Sequence, residues 1–276
     1  MQIEKLLKQP NALPSQPKLV RQLIATFDQE EVDMQQVAAL IEQDPVLTAK
    51  LLKTANSAFF GLKRTVFSTR EAINVMGLIK VRALAIAASL GQSFHSVGSV
   101  NMDLFWRYSL NTANLARYIA LPIRIDESTA FTSGLLHKIG ELVMHVGMPE
   151  SMIDLERSVP MLDLKRSVAE RALFGYCYAE VGAAMAREWY FPKSMIHAIE
   201  HQCAPFENDV YEPIAGVVHI ASWRARAEEG HMRSALLINT YPDPIGLALG
   251  IDPDILVGEY IPAITRVDAE SEKQVA

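Results

Sequence analysis

Cysteine is nearly absent. Cys177 and Cys203 are the only two among 276 residues, and no CxxC motif occurs. That excludes a disulfide framework, and the two read as free thiols. Long apolar runs are missing as well. The richest, Ala83 to Leu90, falls far short of the ~18 residues that a membrane span needs. The N-terminal segment MQIEKLLKQP holds nothing like a signal peptide. The expectation is a cytoplasmic protein without a membrane partner. Positive charge is outnumbered: 26 Lys and Arg stand against 32 Asp and Glu, for a formal net charge of −6. That balance argues against general affinity for nucleic acid or anionic lipid. Runs of alternating β-branched residues, Asn-Gly hairpin dipeptides, GxGxxG, GxxxxGK and GxSxG are all lacking, so neither a nucleotide-cradling loop nor a hydrolase nucleophile elbow is indicated. What is abundant is apolar material. Half of the chain is hydrophobic and 21% is charged, enough for a sizeable core and too apolar for intrinsic disorder.

Almost everything present reads as helix. Asp33 followed by Gln36 forms a capping-box pattern before Val37, Leu40 and Ile41 at helical spacing. Asp44-Pro45 is a cap with a first-turn proline ahead of PVLTAKLLKTA. Ser68 with Glu71 is a second capping-box pattern, and Pro192 should open PKSMIHAIEH. Gly91 to Asn101, GQSFHSVGSVN, is the candidate seam between two helical lobes, and the terminal DAESEKQVA should fray.

The stretch SGLLHKIGELVMHVG, residues 133 to 147, reads as a single apolar helix. Phe131, Leu135, Ile139, Leu142 and Val146 fall on one face at about 100° per residue, and His137, Lys138, Glu141 and His145 share another stripe with Gly134. Two readings are open: a solvated stripe, or, given that Leu136 and Val143 widen the apolar face, the lining of a buried site. Elsewhere, His197 and His201 stand at i and i+4 with Cys203 just beyond. That spacing can hold zinc, but the glutamate of a metalloprotease helix is missing, and two histidines packed in a helical core are the preferred reading. Between Leu62 and Arg82, Lys63, Arg64, Arg70, Lys80 and Arg82 face only Glu71. STREAINVMGLIKVRALAIA has a helix–turn–helix look with Gly77 at the turn, yet Leu78 and Ile79 sit where base-reading side chains would be needed. A basic patch facing solvent or a partner fits better, with Phe59, Phe60, Arg64 and Arg70 as candidate contacts.

Taken together, LPSQPKLVRQLIA, IEQDPVLTAKLLKTANSAFFG, AINVMGLIKVRALAIA, FWRYSLNTANLARYIA, SGLLHKIGELVM and YAEVGAAMAREWYFPKSMIHAIEH occur in the order found in HDOD (HD-related output domain) proteins. The chain resembles that family over roughly residues 12 to 230, and DPVL…ANSAFFG is the most specific block. The resemblance implies an all-α fold related to HD-type metal-dependent phosphohydrolases. It divides the chain into an HDOD domain over 12–230, with an N-terminal helical lobe at 12–95 and an HD-like lobe at 101–230, and a C-terminal helical extension at 231–276.

In HD-type enzymes histidines, a His-Asp dyad and a later Asp hold the metal. Carried over, the first His falls at Tyr108, the dyad at His137 and Lys138, further histidines at Tyr178 and His201, and the final Asp near Ser222. Of those six positions only His137 and His201 keep a ligand. Replacing the dyad Asp by Lys removes an anionic ligand and adds a cation. At about 4 Å and an effective dielectric near 20, the repulsion from a divalent ion is of order 8 kcal/mol. A degenerate site without cofactor or metal is therefore expected, with Lys138 held by Glu141 or Glu180. The favoured function is a non-enzymatic, stand-alone signal-transduction or regulatory protein. It would act through a protein partner or through a small ligand in the former cleft, and a homodimer is compatible with the apolar composition. The alternatives are a metal-dependent phosphohydrolase acting on nucleotides or cyclic dinucleotides, and a DNA-associated regulator.

Overall fold

Side-chain caps at Asp33, Asp44, Ser68, Asn101 and Asp126 set helix starts in the computed structural model, which describes residues 2–9, 18–26, 32–56, 65–94, 100–206, 211–232 and 234–257. Every regular element among the described residues is an α-helix. The N-terminal helices are α1 (Ile3–Leu7), α2 (Lys18–Ala25), α3 (Met34–Glu42), α4 (Pro45–Ala55), α5 (Thr69–Met76) and α6 (Leu78–Ser93). The central set is α7 (Met102–Ala120), α8 (Glu127–Leu136), α9 (Ile139–Gly147), α10 (Pro149–Ser158), α11 (Arg166–Phe174), α12 (Tyr178–Glu188), α13 (Lys193–His201) and α14 (Pro213–Glu229). Three short helices follow: α15 (Ser234–Thr240), α16 (Asp243–Leu249) and α17 (Pro253–Val257).

Asp44 caps α4 as expected, its carboxylate accepting from the N–H groups of Val46 and Leu47. Asp33 caps α3 through Gln35 N–H, without the reciprocal Gln36 bond of a capping box. Ser68 accepts from Glu71 N–H at 3.1 Å, while Glu71 reaches one residue further back, to Phe67 N–H. Gly77, with φ of 86°, makes the turn between α5 and α6. The terminal residues 258–276 lie outside the described residues.

The long helix α7 packs against α8 and α14, and α12 packs between α9 and α13. One apolar cluster runs from Leu6 through α3–α6 to Phe131, Leu142, Val181 and Ile199. A second joins Tyr108, Leu115, Ile220, Trp223, Tyr241, Ile245 and Leu256, which seats the C-terminal helices on α14. The N-terminal helices reach the central set through Arg82. It is buried, donates to Thr26 O at 2.9 Å and to Ser128 Oγ at 3.1 Å, and so ties α2, α6 and α8.

Residues 133 to 147 depart from the single helix expected. The helix breaks, and His137 and Lys138 form the junction between α8 and α9. No solvated stripe exists either: His137, Lys138, Glu141 and His145 are all buried. Two close backbone approaches explain the burial on all sides. At Gly134 a Cβ would stand 2.9 Å from Ala113 Cα, so α8 lies against α7; at Gly140 it would stand 2.1 Å from Tyr178 O, so α9 lies against α12. A continuous helix carries both glycines along one axis, whereas the junction lets the chain meet two different neighbours.

Candidate functional site: a buried ion network beside a polar pocket

The junction places Lys138 in the interior with its side chain at 0% exposure, as is that of Glu141, one turn on. The Lys138 ammonium pairs with Glu141 Oε2 and stands 3.9 Å from the centroid of the Tyr178 ring. A buried ammonium alone is prohibitively costly, so both contacts are required for burial. Glu141 is shared: its Oε1 lies 2.9 Å from Nη2 of Arg166, whose side chain is 1% exposed. These contacts of Glu141 are ion pairs by distance, while their angles fall outside hydrogen-bond geometry. Arg166 continues the chain to Glu156 at 2.9 Å and to Glu170 at 2.8 Å. Glu170 also accepts from Tyr178 N–H at 2.7 Å. Four helices, α9 to α12, thus meet on two cations and three carboxylates. Burial, then the neighbouring Glu141, lifts the Glu170 carboxyl to about 7. Glu180, the other partner considered for Lys138, is engaged elsewhere, accepting from Cys177 N–H at 2.6 Å and pairing with Arg171.

His137 faces the other side of the junction. Its Nδ1 lies 2.7 Å from Gly134 O, and a carbonyl can only accept, so Nδ1 carries the proton. Nε2 is then a bare lone pair, buried without a partner among the described residues. Its ring packs edge-on against Tyr108, 5.1 Å between centroids. Burial, with Lys138 next, holds the imidazole down at about 3. Burial likewise holds His145 at about 4. Tyr108 donates to Ser222 O at 3.3 Å, and Cys203 Sγ lies 3.4 Å from Tyr178 Oη. Beyond these residues opens a pocket of about 250 Å³ whose lining includes Ser167, Tyr178, Gln202, Cys203, His219 and Arg226.

Tyr108, His137, Lys138, Tyr178 and Ser222, scattered over 115 positions of sequence, are thus brought to one place. His201 is half-buried, with its ring 6.3 Å from that of His197. The His197–His201–Cys203 spacing does not converge: His197 is exposed with its side chain at 52%, beside Glu212, whereas Cys203 turns to Tyr178. The core-packed reading of this pair is therefore corrected for His197, because that face of α13 points outward. The basic stretch also divides. Arg70 is exposed, Lys80 is half-buried, and Arg82 is buried structure; Phe59, Phe60 and Arg64 lie outside the described residues.

Whether these residues could hold the metal of an HD-type enzyme is decided by their donors. His137 Nε2 is a free ligand atom, but two phenols, a serine hydroxyl and an ammonium occupy the other positions close to it. A divalent cation requires anionic oxygen or more imidazole there, and Lys138 and Arg226 oppose it. The set does not fit. Glu141, His145 and Glu156 do bring ligand atoms within 4.8 Å of one another. Arg166 already sits 2.9 Å from both of those carboxylates, however, and supplies the charge an ion would bring.

Arg166, Glu170, Gln202, His219 and Arg226 were not foreseen from sequence. A signal for the first two exists in hindsight. On α11 the apolar Val168 and Leu173 are 66% and 65% exposed while Arg166 and Glu170 are buried, an inverted helix.

The geometry is that of the family suggested by the sequence blocks. Residues 13–205 match the HDOD domain profile, and the chain belongs to the HDOD family. An uncharacterized protein of Treponema pallidum (strain Nichols) is 27% identical over 221 residues, covering 79% of this chain and 43% of that protein, so the chain spans less than half of that relative's length. Among solved structures, a protein of Shewanella amazonensis SB2B with the provisional name phosphohydrolase superposes with a TM-score of 0.72 at 26% identity, over 91% of this chain and 93% of that one. An HDOD domain protein of unknown function from Geobacter sulfurreducens gives 0.68 at 23%, over 94% of each chain. A protein of Marinobacter aquaeolei VT8, provisionally named for signal transduction, gives 0.75 at 21%, over 92% of this chain and 59% of that one. No helix among the described residues is long and apolar enough to cross a membrane.

Proposed function

We propose that this HDOD protein is a non-enzymatic regulatory module, in which the metal-dependent site of its HD-type relatives has become a structural ion network beside a ligand pocket. The observation that carries the reading is Lys138, fully buried at the dyad position and paired with Glu141. Its ammonium takes the charge role of a metal without the capacity to bind and acidify water. Tyr108 and Tyr178 fill the neighbouring ligand positions with phenols. Output then passes through protein contacts, for which Arg70 and the unplaced Phe59, Phe60 and Arg64 remain the proposed surface. The provisional phosphohydrolase name of the Shewanella neighbour keeps one rival reading concrete.

The test is elemental analysis of protein purified without chelator, together with phosphatase and phosphodiesterase assays in manganese or magnesium. We expect less than one-tenth equivalent of metal per chain and no turnover above a heat-denatured control. One or two ions per chain, lost in His137→Ala, would overturn the reading.

A further inference from the structure

Arg226, half-buried, stands apart from the buried arginines. Arg166 meets three carboxylates, Arg224 meets Glu228 and Leu256 O, and Arg82 meets Thr26 O and Ser128. Arg226 projects from α14 into the pocket, where its nearest charged-capable neighbours are Tyr108, Tyr178 and Cys203, two phenols and a thiol. Its guanidinium carbon lies 5.9 Å from the Tyr108 ring centroid, and its Nε is buried without a hydrogen-bond partner. Among the described residues no carboxylate pairs with it. The one acid in the lining, Asp163, turns its Oδ1 to Lys165 N–H at 2.7 Å. A guanidinium with no carboxylate partner among the described residues is fit for an anion that arrives from outside.

The same pocket has an orphan of the opposite kind. Gln202 donates through Nε2 to His137 O at 2.6 Å and to Ile199 O at 2.9 Å. Carbonyls only accept, so the amide orientation is fixed and Oε1 is the remaining atom. That oxygen is buried with no partner among the described residues. His219 is in a similar state: Nδ1 donates to Gln202 O at 2.6 Å, which leaves Nε2 an acceptor, and burial keeps the ring neutral. The pocket therefore asks for a ligand that is anionic toward Arg226 and a hydrogen-bond donor toward Gln202. A carboxylate has no proton to give, and neither has sulfate at neutral pH. A phosphate monoester, whose second pKa is about 6, still carries one in substantial part at mildly acidic pH. At about 250 Å³ the cavity is smaller than the ~300 Å³ lower bound for drug-sized ligands, so the organic portion must be short.

We propose that the pocket binds a singly protonated phosphate, free or as a small monoester, with Arg226 taking its charge and Gln202 Oε1 accepting its proton. The proposal rests on the non-metal reading of the cleft, and the experiment separates the two. Binding of inorganic phosphate, methyl phosphate, sulfate and acetate to the full chain is measured by calorimetry at constant ionic strength, with EDTA present. Phosphate or methyl phosphate should bind, more tightly at pH 6 than at pH 8, with sulfate and acetate at least about tenfold weaker. Whichever of the first two binds more tightly identifies free phosphate or ester as the source. Arg226→Gln should lose at least about tenfold in affinity, while Arg107→Gln, which removes the pair with Glu229 away from the pocket lining, should bind as the wild type does. Should Arg226→Gln fail to fold, phosphate should still slow alkylation of the pocket thiol Cys203 in the wild type. Equal binding of sulfate, or no phosphate binding and no protection of Cys203, overturns this proposal and leaves the non-metal reading standing. Binding that appears only with manganese and vanishes in His137→Ala overturns both.

Discussion

Replacing Lys138 by Met isolates the charge at the α8–α9 junction, because Met retains the unbranched stem and leaves little cavity. The ammonium meets the Glu141 carboxylate and the Tyr178 ring, with neither exposed to solvent. Truncating one partner of a buried pair commonly costs about 3–5 kcal/mol, since the other is left charged in a poor medium. Here Glu141 keeps Arg166 at 2.9 Å, which places the loss at the lower end. The lost ring contact contributes in the same direction. We expect about 3 kcal/mol, seen as a fall of roughly 6–12 °C in Tm for a chain of this size. Urea melts of Lys138→Met, Glu141→Gln and the double variant supply a cycle. The two substitutions should couple by at least about 1 kcal/mol, the double variant being less damaged than the sum. Stability of Lys138→Met within about 0.5 kcal/mol of wild type, or strict additivity in the cycle, would refute the account of Lys138 as a partnered interior cation.

Other perturbations test neighbouring parts of the argument. Lys138→Asp should be worse than Met, since it sets a carboxylate beside Glu141, and manganese should restore little of the Tm because Tyr108 and Ser222 supply no anionic oxygen; full restoration by manganese would contradict the donor argument. His137 and His145 titrate near 3 and 4 when folded against an ordinary 6.5, so the unfolded chain binds their protons first and stability rises with pH between 4.5 and 6.5, while Glu170, lifted from 4.5 to about 7, works the other way. The net is about one proton, or roughly 1.4 kcal/mol per pH unit, and His145→Gln should reduce the measured slope by that amount; an unchanged slope would mean that His145 is not held neutral. Gly140→Ala should cost at least about 3 kcal/mol, or prevent folding, because its Cβ would meet backbone at Tyr178 O; wild-type thermal stability would disprove the close approach. Arg82→Met should cost about 2 kcal/mol and Arg70→Met less than about 0.5 by urea denaturation, a contrast that separates buried from exposed members of one basic stretch.

The helical class was legible because helices announce themselves locally. Asp44-Pro45, Ser68 with Glu71, and Pro192 each mark a start, and each lies at the start of a helix in the structure. The ligand positions near Tyr108, His137, Lys138, Tyr178 and Ser222 were legible only through family resemblance, since no spacing rule links them. What escaped was decided by packing. The break at His137-Lys138 follows from Gly134 and Gly140 serving two different neighbours, which periodicity along one helix cannot register. Arg82 looked like one more charge in a basic stretch, and only the approach of Thr26 and Ser128 makes it interior. Arg166 and Glu170 hid in a charge-rich helix whose Val168 and Leu173 face outward.

On the proposed reading, the network supplies the cross-links that a metal would otherwise make. In a metal-dependent site one dication draws ligands from several helices and so crosslinks them. Here Arg166 performs that service from α11, meeting Glu141 of α9, Glu156 of α10 and its own Glu170, which in turn accepts from the first residue of α12. Lys138 adds the second positive charge against the three carboxylates. With Glu170 lifted to about 7, a proton at that site can absorb the remaining imbalance. The same helices are therefore joined by fixed side chains. Reversal by a single substitution is closed off for the same reason. An aspartate at 138 would gain a place for a ligand while stranding Glu141 and confronting a network already short of positive charge. On the proposed reading, conversion of this site is a property of the group of residues, and Lys138 is the member through which the sequence reveals it.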